Sequence, residues 1–379
     1  MKRHIEMKTS FLHILFVSLF ALLIVAPRQA QANTIRESIF DRLTASPEGM
    51  LEVSLETDLV QLLSVAAGRE VEYQPATFTF ENAAGQDESW EIKVRQRGKF
   101  RRRVCDFPPI MLNFDKDDLT AQGMAEHDKL KLVTHCDEDR AQGNDNLLRE
   151  FLGYQMYREL TPSSYRVRLV RITYIDSKGN LSNLRRYGFI IEDTDEMAER
   201  LGGVECEDCV NPAVNSVDLH AETVHAMFQY FIGNTDYSLP MNRNLKLVRR
   251  NRDNMLVPVG YDFDFSGLVN ASYALPSSHI GQLMIRQRIY LGLPADDATL
   301  LEVIKLFQDK REDLLDMVQG FRYLSGTSRD DITNYILLFY DQLDLLLLQG
   351  DTNLYARLRQ NTPNAIPDGG APEMYQVRK

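Results

Sequence analysis

Two pieces of sequence, IGNTDYSLPMNRNLKLV (residues 232–248) and VPVGYDFDFSG (residues 257–267), carry the densest chemistry of this 379-residue chain. They hold Asp236, Asn244, Asp262 and Asp264 around apolar runs that read as strands, Leu245 with Leu247 and Val257 with Val259. The carboxylates sit about one hairpin apart in sequence, and Asn244 lies between them. Asp262 and Asp264 alternate with Tyr261, Phe263 and Phe265. An extended segment would turn both carboxylates to one face. Charged groups embedded among aromatics are seldom kept without a partner or a cation. Two carboxylates and an amide oxygen are hard ligands that suit magnesium or calcium.

Working outward, the residues before this stretch alternate apolar and polar side chains in short runs. Trp90, Ile92 and Val94 alternate with Glu91, Lys93 and Arg95, and Leu130 and Leu132 with Lys129 and Lys131. Residues 166–174 and 187–191 are rich in branched and aromatic side chains. The pattern predicts an antiparallel sheet over residues 50–192. One helix interrupts it at about Asp145 to Leu160, with Leu147, Leu148, Phe151, Leu152 and Met156 at helical spacing. Beyond residue 192 the spacing predicts helices over 196–201, 217–231, 298–318 and 330–348. The expected class is α+β, with a sheet-rich lobe (33–192), a helical lobe carrying the site (193–361) and a disordered tail (362–379). Strands first and helices later is also the layout of a two-lobed protein-kinase-like fold.

Phosphoryl transfer needs the residue set found here. One carboxylate orients or deprotonates the acceptor hydroxyl, and a second carboxylate with an asparagine holds the metal that bridges the phosphates. The order carboxylate, asparagine, strand, carboxylate is that of kinases. Six pieces then line up in order over roughly residues 90 to 290. They are Arg95-Gln-Arg97-Gly98, Asp128-Lys-Leu-Lys131-Leu-Val, Leu148-Arg149-Glu150, Tyr187-Gly188 through Glu192, Gly233-Asn-Thr-Asp236 followed by Asn244, and Tyr261-Asp-Phe-Asp264. In these pieces the chain resembles the CotH-like (spore coat protein H) family of atypical secreted kinases. Lys99, Asn113 and Arg243 depart from that family's usual pattern.

The resemblance implies a kinase-like fold that uses Mg2+ or Mn2+ and ATP. It implies that Asp236 is the catalytic carboxylate and that Asn244, Asp262 and Asp264 face the metal. Arg97, Lys129 and Lys131 are the implied nucleotide contacts, with Glu150 as an ion-pair partner on the following helix. The implied partners are a nucleotide and an acceptor of unknown class, proteins included. A competing reading is a catalytically inactive kinase-fold module that binds at the cell envelope. The basic run Arg101 to Arg103 reads either as a phosphate or acidic-substrate clamp or as a solvated hairpin tip.

The first 32 residues read as a cleaved export signal. Lys2, Arg3 and Lys8 precede an apolar run of 15 residues from Phe11 to Val25, and Ala30-Gln31-Ala32 supplies the small-residue site. The run is short of the ~20 residues a membrane-spanning helix needs, and His13 and Ser18 weaken the alternative of an uncleaved anchor. No later segment is apolar enough to insert stably. The expected location is therefore periplasmic or secreted. Cleavage removes four basic residues and one acidic one, moving the net charge from −11 to −14. That balance excludes a general nucleic-acid binder, which would need a basic face. Cys105, Cys136, Cys206 and Cys209 form an even set that an oxidising compartment would pair. Of the three pairings, Cys105 with Cys136 and Cys206 with Cys209 is the expected one. A zinc site at Cys206-Glu-Asp-Cys209 lacks further ligands.

Overall fold

The computed structural model describes residues 36–45, 49–64 and 68–360. The expected export signal (1–32) and disordered tail (362–379) lie outside the described residues. The strands are β1 (Leu51–Thr57), β2 (Gln74–Glu81), β3 (Asp87–Gln96), β4 (Ile110–Asn113), β5 (Lys129–Val133), β6 (Val167–Asp176), β7 (Leu184–Ile191), β8 (Gly203–Glu205), β9 (Leu245–Arg250) and β10 (Leu256–Gly260). The α-helices are α1 (Ile39–Ala45), α2 (Leu59–Leu63), α3 (Arg101–Val104), α4 (Lys116–Ala121), α5 (Arg140–Leu160), α6 (Thr194–Arg200), α7 (Leu219–Ile232), α8 (Asp297–Asp309), α9 (Arg311–Gly320), α10 (Gly326–Leu348) and α11 (Leu354–Gln360).

The first seven strands close on themselves in the order β1-β2-β3-β4-β5-β7-β6. Six of the pairings are antiparallel. The seventh, β1 with β6, is parallel, running from Leu51 beside Val170 to Thr57 beside Asp176. Alternation along each strand turns Val53, Leu55, Phe78, Phe80, Ile92, Val94, Leu112, Leu130, Ile172 and Ile190 into one buried cluster. Closure removes the exposed edges an open sheet would present. Strands β8–β10 form a separate three-stranded sheet in the order β10-β9-β8.

This corrects the expected fold. The chain is not a two-lobed kinase-like fold with a sheet-rich N-terminal lobe. It is a closed seven-stranded barrel of mixed direction, with a small sheet and helices packed on it. The physical reason is the β1–β6 ladder, which turns a sheet into a barrel. A second core then joins the barrel's outer surface to the helices. Val133, Val167, Leu169, Phe189 and Ile191 share it with residues of α5, α7, α8 and α10. At element level, the alternating runs fall in β3, β5, β6 and β7. The predicted helix over 298–318 is two helices that meet at Lys310.

Both disulfides form as expected, Cys105 with Cys136 and Cys206 with Cys209. Among the described residues no helix is long and apolar enough to cross a membrane.

Helix α7 carries a buried carboxyl with no cation beside it. Both oxygens of Glu222 accept the Leu293 N–H, at 3.1 and 3.2 Å. Burial pushes this carboxyl up to about 8 from an ordinary 4.5, against the pull of that hydrogen bond. A folded-state value above the unfolded one means stability that is fully present below pH 4.5 and lost as pH rises through about 8. Glu222→Gln should therefore match wild type at pH 4.5 and exceed it by about 2 kcal/mol near pH 8, at ~1.4 kcal/mol per unit discounted for relaxation. Urea midpoints across that range test it, and an unchanged pH slope in the variant would refute it.

Candidate functional site

Helix α7 ends at Gly233, whose φ of +66° is the left-handed cap conformation. A Cβ there would stand 2.0 Å from the Tyr335 hydroxyl, so only glycine fits. The chain leaves this cap directly into Asp236. The Asp236 N–H donates to Asn234 Oδ1 at 2.9 Å, which fixes the turn. A short bridge between Ser238 and Arg243 then returns the chain to Asn244, one residue before β9.

The β9–β10 hairpin pairs Leu245 with Gly260, and Tyr261 N–H donates to Asn244 O at 3.0 Å. Asn244 and the Tyr261–Asp264 segment thus leave the same end of the hairpin. Asp262 is not in extended backbone. Its φ is +65°, uncommon for a residue with a side chain, and its N–H is held by Tyr154 Oη at 2.8 Å. Alternation therefore does not set the direction of the two carboxylates. A cation brings the two carboxylates together instead.

That cation is Arg101, the first residue of α3, only 5 % exposed. Its Nη2 donates to Glu150 Oε1 and Oε2 at 2.9 and 3.0 Å and to Asp262 Oδ1 at 2.6 Å. Its Nε lies 3.0 Å from Asp264 Oδ2. Glu150, Asp262 and Asp264 bring ligand oxygens within 4.8 Å of one another, a spacing that could hold a metal ion. The guanidinium fills that space. Three carboxylates around one cation leave surplus negative charge in a buried place, which disfavours ionisation of its buried members. Desolvation pushes both Glu150 and Asp264 up, and Arg101 opposes it.

Two carboxylates stay open to solvent, Asp236 beside this plug and Asp262 on its rim. The Asp236 side chain is 37 % exposed and that of Asp262 is 35 %. Desolvation raises Asp236 above the usual aspartate range, and the charge of Asp262 acts in the same direction. Arg243, 3.5 Å away, and the Asn244 hydrogen bond oppose it. Asn244 Nδ2 donates to Asp236 O at 2.6 Å and to Asp236 Oδ2 at 2.9 Å. That commits the amide nitrogen and leaves Oδ1 as the acceptor. A divalent cation would have to use the outer donors, Asp262 and Asn244 Oδ1. It does not fit the inner cluster while Arg101 stands there, and Asp264 belongs to that inner cluster.

A cationic flank adjoins the carboxylates. Lys131 Nζ donates to Thr194 Oγ1 at 2.7 Å and lies 5.1 Å from the centre of the Tyr165 ring. Burial lowers it to about 8, with Arg97 and Lys246 pushing the same way. Arg97, just past β3, and Lys246 of β9 thus approach Lys131 of β5, and both lie near Tyr261. Lys246 also pairs with Glu205. Lys129 points elsewhere, exposed and 3.7 Å from Asp128. Glu150 pairs with Arg101, not with either lysine. On the other side of Asp236 is a cavity of about 390 Å³ lined in part by Met241, Arg243, Phe265, Leu275 and Ile280.

Sequence reasoning missed Lys246 and the burial of Arg101. The signal for Arg101 was the demand of three carboxylates for a cation. That demand is visible only once Glu150 is known to meet Asp262 and Asp264.

Fold and site together define a β-barrel protein with an arginine-centred carboxylate cluster beside an open carboxylate–amide pair. No family model matches the chain, and no curated protein matches it.

Proposed function

We infer that this chain is an exported, metal-dependent phosphotransferase of the chemistry the CotH-like resemblance implies, on a different scaffold. The observation that supports it best is the division of labour at the hairpin end: Asp236 open and raised, Asp262 and Asn244 leaving the same end of the hairpin, and a cationic flank alongside. Arg97, Lys131 and Lys246 would hold the phosphates of ATP or a related donor. Asp262 and Asn244 would hold Mg2+ or Mn2+, which when bound neutralises phosphate charge. The acceptor hydroxyl would lie in the cavity beside Asp236. Its oxygen bonds to the terminal phosphorus as the bridging P–O bond breaks, and that electron pair leaves with the diphosphate. The hydroxyl proton passes to the Asp236 carboxylate, whose raised affinity for protons suits the task. An extracytoplasmic location rests on the leader sequence and agrees with two disulfides.

The experiment is a thermal melt of the mature protein with magnesium and ATP, paired with transfer of labelled terminal phosphate. Stabilisation is expected in wild type and in Asp236→Ala, and lost in Asp262→Asn. Transfer should fall about 10²-fold in Asp236→Ala, the usual scale for losing a general base. A second reading, a binding module without catalysis, is favoured by one observation: Arg101 already pairs with all three inner carboxylates. No nucleotide stabilisation in wild type, with both variants melting alike in its presence and absence, would select that reading.

A further inference from the structure

Across helix α5 from Glu150 lies a second concentration of charge, of the opposite sign. At 100° per residue, Ala141 and Leu148 lie about half a turn around the helix from Glu150, and Asn144 about a third of a turn. There a cavity of about 230 Å³ is lined by Arg140 and Asn144 of α5, Arg171 of β6, and Arg185, Arg186 and Tyr187 of β7. In a chain of net charge −11, four arginines around one small cavity are out of keeping with the surface average. Glu52 is the one carboxylate paired with them among the described residues, 2.7 Å from Arg185 and 3.8 Å from Arg171. Nearby acidic side chains have other duties. Asp139 caps α5 by accepting the N–H groups of Ala141 and Gln142, and Asp137 accepts the Asp139 N–H.

Two polar groups that line the cavity are buried and unpartnered, Asn144 Oδ1 and Arg186 Nε. Buried polar atoms are normally satisfied, so each orphan marks a place for a ligand or water. The cavity continues into a second one of about 530 Å³, and Asn144 and Tyr187 line both. The second is walled by Tyr187 and Tyr323, whose rings stand 6.4 Å apart, with Leu148, Ser325 and Ser328.

We propose that this groove is a binding site for a small phosphorylated saccharide, with its phosphomonoester among the arginines and its ring lying along the wall that the edge-to-face pair Tyr187 and Tyr323 forms. Guanidinium forks match the paired oxygens of a phosphate, and the Arg186 Nε–H is free to donate. The tyrosine faces suit the C–H surface of a sugar ring, and the Asn144 carbonyl accepts from a hydroxyl. The site needs neither Asp236 nor Asp262 and stands whether or not the chain transfers phosphate.

Isothermal titration of the mature protein at low salt tests it, with glucose 6-phosphate, inorganic phosphate and glucose as probes. Glucose 6-phosphate should bind about tenfold tighter than inorganic phosphate, and glucose should not bind. Arg140→Ala, at an exposed position without an ion partner, should weaken glucose 6-phosphate about tenfold. Arg186→Ala should abolish binding, and Asp262→Asn should leave it unchanged. Four results would overturn the proposal. They are no binding of any phosphate, equal affinity for phosphate and glucose 6-phosphate, affinity unaltered in both arginine variants, or loss of binding in Asp262→Asn.

Discussion

Replacing Arg101 with alanine is expected to cost the fold about 3–5 kcal/mol at pH 8, the range for stranding buried partners of an ion pair. The guanidinium reaches Glu150, Asp262 and Asp264 at once, and Glu150 and Asp264 have almost no solvent to fall back on. The sign of the pH dependence follows. Without the arginine, the folded-state affinities of Glu150 and Asp264 for protons rise further above their unfolded values. The penalty is then absent below about pH 4.5 and grows as pH rises through the elevated folded values. Urea denaturation at pH 4.5 and pH 8 measures this. Near-equal stability of variant and wild type at pH 8 would show that the cluster is not held by Arg101. The same variant vacates the space between the three carboxylates, so millimolar Mg2+ or Ca2+ should restore part of the lost stability there while leaving wild type unchanged.

Removing the Cys105–Cys136 bridge should cost about 3–4 kcal/mol, on the loop-closure scale for a 31-residue separation. The bridge matters for more than chain entropy. Cys105 is the C-terminal cap residue of α3 and Cys136 lies just past β5, so the bond fastens the turn that delivers Arg101. Cys105→Ser/Cys136→Ser should therefore also acquire some of the pH sensitivity of Arg101→Ala. The Cys206–Cys209 bridge spans a separation of only 3 residues, and its removal should cost about half as much. Thermal melts of the two double variants decide this, and a larger loss from the short bridge would refute the argument.

Much of the local structure was legible in the sequence. Trp90, Ile92 and Val94, and Leu130 with Leu132, alternate because one face of each strand fills the barrel. Leu147, Leu148, Phe151 and Leu152 repeat at helical spacing because α5 packs against the outer core. What alternation cannot reveal is the neighbour. It shows which face of β1 is buried but not that β6, far along the chain, lies beside it, so an open sheet and a closed barrel read alike. The break at Lys310 likewise has no glycine or proline to announce it.

The site divides the same way. Asp236, Asn244 and Asp262 were findable because hairpin β9–β10 is local, and a local hairpin brings its two ends together. Arg101 was not, because three consecutive arginines read either as a clamp for phosphate or acidic substrate or as a solvated hairpin tip, and neither reading buries one of them among carboxylates. Its burial depends on Glu150 and Asp264, which arrive from distant parts of the chain. The cationic flank shows the same limit. Lys131 was a candidate from its strand, whereas Lys246 meets it only through the packing of the small sheet near the barrel.

The parallel seam between β1 and β6 has a consequence for how the molecule comes into being. Leu51 is bonded beside Val170, more than a hundred positions later. A chain emerging from its N-terminus makes the β1–β2–β3 hairpins early and then waits, with one side of β1 unsatisfied, until β6 appears. Contacts of such long range are slow to form, and a waiting strand edge is a template for a neighbouring chain. The vulnerable period is therefore assembly. A chain stopped short of Asp176 would keep its first strand permanently open to self-association, however well its separate hairpins were made.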